Sequence, residues 1–447
     1  MNEYTINVRH VSDRRLEYVW TPTPFPAAPN ALWVEYPFEV GRIEPTDVFY
    51  PVLPVFLALS FTNCTFRLVS ETSGTNSQDP VLHQVLANWL TMVEAEAVVN
   101  FGVKIRAEAS VNGQTVDRTA IRQIPDQTAG SGTALFLGGG AESLTALGDL
   151  THQNLRPHLI SCLGPGWIGS DPAINEIKVE QDLRISRELG LPLHHIRTNL
   201  YGLFGQMQNS LAECMVEDAY FANRTPFTPA LVFLFAPLAA VYGLGTAYYS
   251  HEMQPENDPC FLCFAKSFTD RLTTVASPKF AFQRVLWDLP KVEVFERLCT
   301  SHPRLLKYQY SCSNNRHERW CFACEKCLRY YILCRLFDVP FATVEFDESR
   351  MLANFDKLRA KIAAPVWADV YCRFTYGGIL EQSRARGKTD LSEFVSNLIR
   401  ESKRIKRVKN AQAFIRPLVP KPVKRLLKNT LANSPRRRTA RAKELPI

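Results

Sequence analysis

The stretch TALFLGGGAESLTAL, residues 133–147, decides how the chain is read. Residues 133–137 are apolar and short, as a buried strand requires. Gly138, Gly139 and Gly140 follow, and from Ala141 apolar residues recur at helical spacing. Glycines without Cβ atoms let backbone N–H groups turn inward and approach an anion. The start of the next helix adds its partial positive charge, and Ser143 adds a hydroxyl in the first turn. Two readings follow from these residues: a phosphate cradle, or a tight turn with no ligand. The loop is neither GxxxxGK[ST] nor GxGxxG, since no Lys precedes the serine.

Around this unit, strands and helices alternate. After the helix to about Gln153 comes the strand HLISCLG, then the helix DPAINEIKVEQDLRISRELG, with Asp171 as cap, Pro172 in the first turn and Gly190 as stop. The strand LPLHHIRTN, an apolar helix over 229–242 and the strand GTAYYSHE complete a βαβ rhythm. That rhythm predicts an α/β fold, a parallel sheet with helices on both faces. Such sheets bind ligands beyond the carboxyl ends of their strands, where the glycine loop falls. Residues 1–125 read as a smaller α+β unit, with strand character in RLEYVW, ALWVEYPFEV and CTFRLVSET and a helix in VLHQVLANWLTMVEAEAVVNFG. Residues 126–132 read as a linker, 133–340 as the ligand-binding domain and 341–400 as a helical extension.

With 46% apolar and 21% charged residues, the 447-residue composition is that of a globular protein. The richest apolar run, from Pro229, is broken by Pro237 and is short for a bilayer span. The first residues hold no apolar signal core, so the expected location is cytoplasmic and most of the twelve cysteines are expected to stay reduced. The net charge of +8 is uneven. Residues 401–447 hold fifteen Lys and Arg against two Glu, a net of +13, leaving the remainder at −5. This basic segment reads as a solvated, disordered tail or as a contact for an anionic membrane at the inner face. No aromatic platform supports nucleic acid as its partner.

Cys312, Cys321, Cys324 and Cys327 form C-x8-C-x2-C-x2-C. Four thiolates at this spacing suit a closed tetrahedral zinc site of structural type. An iron–sulfur cluster or four reduced thiols are the other readings. Lys326, Arg329 and Arg319 stand close in sequence to offset the charge. Cys260 and Cys263 form a separate pair with no thioredoxin-like context.

The loop resembles the SGGxDS loop of the PP-loop ATP pyrophosphatases, which release AMP and pyrophosphate. The motif's positions here are Gly138, Gly139, Gly140, Ala141, Glu142 and Ser143, with Gly for the leading Ser and Glu for Asp. Loop and cysteine array together resemble the layout of 7-cyano-7-deazaguanine synthase. A resemblance covering more of the chain is to the MurL-type UDP-N-acetylmuramoyl-L-alanyl-L-glutamate epimerases, carried by LGGGAES, YYSHE, RWCFACEKC and the front-domain segments LALSFTNCTFRL and VLANWLTMVEAEAVVNFG. Ala141 stands where that family's loop has Lys.

The resemblance implies a PP-loop fold using ATP, Mg²⁺ and Zn²⁺, and a small-molecule or nucleotide-sugar-linked carboxylate as substrate. It implies adenylation of that carboxylate followed by epimerisation of a glutamyl or related residue. An amide- or nitrile-forming ligase and a non-catalytic nucleotide-binding protein are the alternatives. Residues 138–143 would grip the phosphates, with Ser143 and Glu142 touching the reacting groups. His251, Glu252, Lys266, Cys260 and Cys263 are the candidates for the base, since all follow a strand end.

Overall fold

The computed structural model describes residues 2–22, 31–44, 47–55, 64–70, 80–101, 106–117, 130–164, 172–203, 227–253, 280–310, 312, 318–368 and 370–418. The front of the chain gives β1 (Asn2–Ser12), β2 (Arg15–Thr21), β3 (Ala31–Glu35), β4 (Cys64–Ser70), helix α1 (Pro80–Phe101), β5 (Ala107–Val111) and the two-residue β6 (Gln114–Thr115). Alternate residues of β2, β3 and β5 are buried, the period-two pattern of half-covered strands.

The strand–helix alternation then takes over. It gives β7 (Gly132–Phe136), α2 (Ala141–His152), β8 (His158–Leu163), α3 (Pro172–Leu189), β9 (Leu193–Thr198), α4 (Phe227–Tyr242), β10 (Leu244–Ser250), β11 (Ala281–Val285) and α5 (Lys291–Ser301). The rest of the described chain is helical: α6 (Glu325–Leu336), α7 (Glu348–Ala368), α8 (Val370–Ala385) and α9 (Thr389–Leu418). The fold is α/β, as the alternation predicts.

All eleven strands join one sheet, in the order β11-β10-β7-β8-β9-β3-β2-β1-β4-β5-β6. The five strands β7 to β11 are mutually parallel. Antiparallel pairing of β3 with β9, Val34 to Thr198 and Glu35 to Arg197, joins the front strands to them. Asn199 reinforces this seam, accepting from Trp33 N at 2.8 Å and donating to Ala31 O at 3.0 Å.

Two apolar layers cover the parallel strands. Ala134, Phe136, Ile160 and Cys162 face a layer that includes α1 and α4, while Leu135 and Leu159 face one built from α2, α5, α6, α7, α8 and α9. Within the parallel half, the strand order is that of a doubly wound sheet. β7 sits centrally, β8 and β9 extend one way, and β10 and β11 extend the other. The reversal between β7 and β10 is the switch point of the strand order, and the crevice expected beyond their carboxyl ends is where ligands bind in such sheets.

The basic segment departs from the expectation of a disordered tail beginning at 401. α9 continues to Leu418. Its buried Leu391, Val395, Leu398 and Ser402 recur at three- and four-residue spacing, so the helix is seated on the domain before the basic run begins. No helix among the described residues is long and apolar enough to cross a membrane.

One buried ion pair braces the floor beneath the glycine loop. Lys178 on α3 contacts Asp182 at 2.9 Å, and both side chains are 1% exposed. Lys178 Nζ also donates to Leu137 O at 3.1 Å, and His195 Nε2 stands 3.3 Å from Asp182 Oδ2. Burial alone would raise the Asp182 pKa, but the Lys178 charge and the His195 hydrogen bond outweigh it and hold the carboxyl below its ordinary 3.8. A depressed carboxyl pKa stabilises the fold above the unfolded value, and that stabilisation disappears as pH falls through the folded value. Thermal stability will therefore drop as pH is lowered beneath about 4. Asp182→Asn, less stable at pH 7, will lose that share of the acid dependence, as melting curves between pH 7 and 3 will record.

Candidate active site at the switch point

The glycine loop lies at the carboxyl end of β7, beside β10. Gly139 adopts φ +76°, a left-handed conformation that glycine takes without the Cβ penalty. Its neighbour across the gap is Tyr310. Tyr310 N donates to Gly139 O at 2.7 Å, and a Cβ on Gly139 would stand 3.2 Å from Tyr310 O. Gly140 is extended at φ −81°, ψ 173° and caps α2 with no side-chain hydrogen bond.

Ser143 Oγ turns back into the loop, accepting from Gly139 N at 3.0 Å and donating to Gly140 O at 3.1 Å. The hydroxyl thus sets the loop's shape. The N–H groups of the first helical turn have no intrahelical acceptor, as at any helix start. They face out of the carboxyl edge of the sheet.

Three charged side chains from three adjacent strand ends converge here. Glu142 comes from the first turn of α2, Glu252 from the segment just past β10, and Lys291 from the first residue of α5 after β11. Lys291 Nζ pairs with Glu142 Oε1 and lies 3.9 Å from Glu252 Oε1. Both ends of the Lys291–Glu252 pair are largely buried, at 5% and 8% side-chain exposure. The N-terminal turn of α5 is an unfavourable place for a cation. Burial, reinforced by the charges of Arg329 and Lys326, pushes the Lys291 ammonium well below the ordinary lysine range.

Tyr371 on α8 closes the cluster from the far side, its hydroxyl donating to Glu252 Oε1 at 2.5 Å. Burial, then the Glu252 charge, keeps this phenol protonated. Arg329 on α6 lies over the Tyr371 ring, 5.2 Å from its centroid, and pairs with Glu325 at 3.4 Å. Arg329 Nε and Nη1 and Glu325 Oε1 are buried without a hydrogen-bond partner among the described residues. Such atoms are expensive to leave unpaired and call for a ligand or water.

The four cysteines of the array come together as the spacing predicts. Their sulfurs lie within 4.8 Å of one another. Cys327 Sγ stands 3.7 Å from Cys321 Sγ and 3.6 Å from Cys324 Sγ. Sulfurs at the corners of a tetrahedron with bonds of 2.3 Å lie about 3.8 Å apart, so the set can hold a metal ion such as zinc. Hydrogen bonds from the other three thiols, and from Ala323 N–H at 3.4 Å, lower the Cys321 thiol below its ordinary value.

The chain connects the cluster to the loop. Cys312 is two residues beyond Tyr310, the residue docked on Gly139, and Cys327 lies in the first turn of α6, which carries Arg329. Arg319 Nη2 donates to Lys307 O at 2.6 Å, and its Nε bonds Gln309 O at 2.5 Å, tying the same segment down.

Glu142, Ser143, Glu252 and the glycines are therefore neighbours at one crevice. His251 is beside them in sequence but faces an aromatic shelf, its ring 5.2 Å from Trp287, with Nδ1 2.9 Å from Glu252 O. Lys266, Cys260 and Cys263 lie outside the described residues. Lys291, Tyr371 and the role of Arg329 in the crevice escape a reading of the sequence. A lysine directly after Pro290, opening a helix against its dipole, is the local sign that would have marked Lys291. Tyr371 leaves no such sign, being placed by tertiary packing alone. No protein-family model matches the chain, and no curated protein matches it significantly.

Proposed function

We propose that the protein is an ATP-dependent enzyme that adenylates a carboxylate, releasing pyrophosphate, and then epimerises a glutamyl or related amino-acyl residue, as the MurL-type epimerases do. The observation that carries this reading is the convergence of Glu142, Glu252 and Lys291 beside the glycine loop, at the crevice where the sheet reverses. In this reading a substrate carboxylate oxygen attacks the α-phosphorus of ATP, the bond to the β-phosphate oxygen breaks, and pyrophosphate leaves. The loop amides and the start of α2 take up the phosphate charge.

Lys291 supplies the cation that Ala141 cannot. Glu142 would hold Mg²⁺, which when bound neutralises the phosphates and polarises the reacting phosphorus. The activated acyl group makes the adjacent Cα–H more acidic, so a positioned carboxylate can remove it. Glu252 is that carboxylate, oriented by Tyr371 and charge-balanced by Lys291. A proton then returns to the opposite face, and water attacks the acyl carbon, breaking the bond to the AMP oxygen and releasing AMP and the inverted acid. Cys312, Cys321, Cys324 and Cys327 would hold a zinc ion of structural type, which would steady the segments that carry Tyr310 and Arg329.

Incubation with Mg-ATP and a panel of glutamyl acids in deuterated water tests the reading. AMP, pyrophosphate and deuterium at Cα are expected; formation of ADP would overturn it, and ammonia dependence would mark the amide-forming alternative. Ser143→Ala strips the loop of a hydroxyl that bonds two of its backbone groups. At about 1–3 kcal/mol for such a loss, ATP–pyrophosphate exchange should fall roughly ten- to a hundredfold.

A further inference from the structure

Between them, α7 and α9 enclose an open groove of about 730 Å³, lined by Arg359, Asn397, Arg400, Glu401, Arg404, Ile405 and Val408. Three guanidinium groups face one carboxylate there. Arg359 spends its charge on Glu401, at 2.5 Å, and Arg400 Nη2 donates to Asn397 Oδ1 at 2.6 Å. Val408 is 49% exposed, one of few large apolar side chains in the described residues to be so open. Lys403, Arg404 and Arg407 are exposed on the same helix. Beyond it, residues 419–447 carry nine more Lys and Arg against one Glu.

We propose that this groove and the outer face of α9 form a docking surface for an anionic phospholipid bilayer. Guanidinium groups pair bidentately with phosphate oxygens, and arginine is the side chain suited to that geometry. The exposed Val408 gives the acyl boundary an apolar point to meet, as in helices lying in the membrane interface. A single-stranded nucleic acid would instead call for stacking rings, and the groove has none among its lining residues. The surface is structured and includes Arg359 of α7, so it extends beyond the basic tail. It is independent of the adenylation chemistry, and either proposal stands without the other.

The test uses the full-length chain in a vesicle flotation assay. Vesicles of phosphatidylcholine alone are compared with vesicles containing phosphatidylglycerol, at low and high salt, for wild type and for the triple variant Arg359→Gln, Arg400→Gln, Arg404→Gln. Wild type should bind the anionic vesicles and release at high salt, with little binding to phosphatidylcholine. At about 1 kcal/mol per base, the variant should bind roughly a hundredfold more weakly. Equal binding to both vesicle types, or a variant that binds like wild type with an unchanged melting temperature, would overturn the proposal. So would tighter binding to a single-stranded oligonucleotide than to the anionic vesicles.

Discussion

With a zinc ion held by the four cysteines, as proposed, replacing Cys327 with Ser should release one metal equivalent and lower the melting temperature by more than any surface substitution does. The expectation rests on where the cluster sits. Structural zinc contributes its binding free energy directly to folding, on the order of 10 kcal/mol in small domains. Here a bound ion would hold two things at once: the segment ending at Cys312, which docks Tyr310 on Gly139, and the first turn of α6, which leads to Arg329. Loss of such an ion would therefore reach the crevice as well as the fold. Metal content by mass spectrometry, melting temperature and nucleotide binding should fall together in the variant, and a strong chelator should reproduce all three. A variant with no metal but unchanged stability and nucleotide binding would separate the cysteines from the loop.

Lys291→Met should be the most damaging single change to chemistry. It removes the cation that faces Glu142 and Glu252 and leaves two acids near each other in a poorly solvated place. Removing one partner of a buried pair costs about 3–5 kcal/mol. Removal of one preorganised group that stabilises developing charge typically costs about 10²–10³ in rate. Exchange of pyrophosphate into ATP should thus fall by about two to three orders of magnitude. Lys291→Arg keeps the charge and should recover part of the exchange, whereas a purely structural lysine would show the same deficit in melting temperature with exchange intact in the fraction that remains folded.

Much of the parallel half was legible because its signals are local. Gly138–Gly140 mark the end of β7, Gly190 at φ +64° ends α3, and the apolar run of α4 is unbroken by charge. The cysteine array is equally local, its spacing enough to place four sulfurs together. The seam between β3 and β9 had no such signal. It joins residues more than 160 positions apart, and each strand reads the same whether or not the other is present. β11 carries no local signal for a related reason: AFQRV is short and has Gln283 and Arg284 in its middle, so its strand state comes from pairing with β10.

The crevice divides along the same line. Glu142, Ser143 and Glu252 could be named because they flank a recognisable loop or strand end. Lys291 and Tyr371 belong to it only through tertiary packing, and so does the contact between Arg329 and the Tyr371 ring. α9 is a further case. Its composition is that of a solvated basic tail, yet the spacing of Leu391, Val395, Leu398 and Ser402 seats it on the domain.

The most direct measurement is calorimetric titration of the wild-type protein and of Gly139→Val with Mg²⁺ and α,β-methylene-ATP, whose α–β bridge resists cleavage. Val at 139 must take the left-handed backbone of φ +76° and press toward Tyr310 O, so it deforms the loop at its contact point. The wild type should bind one nucleotide per chain, and the variant should bind far more weakly. No binding by the wild type, or equal binding by both proteins, would contradict the assignment of the triphosphate to the glycine loop.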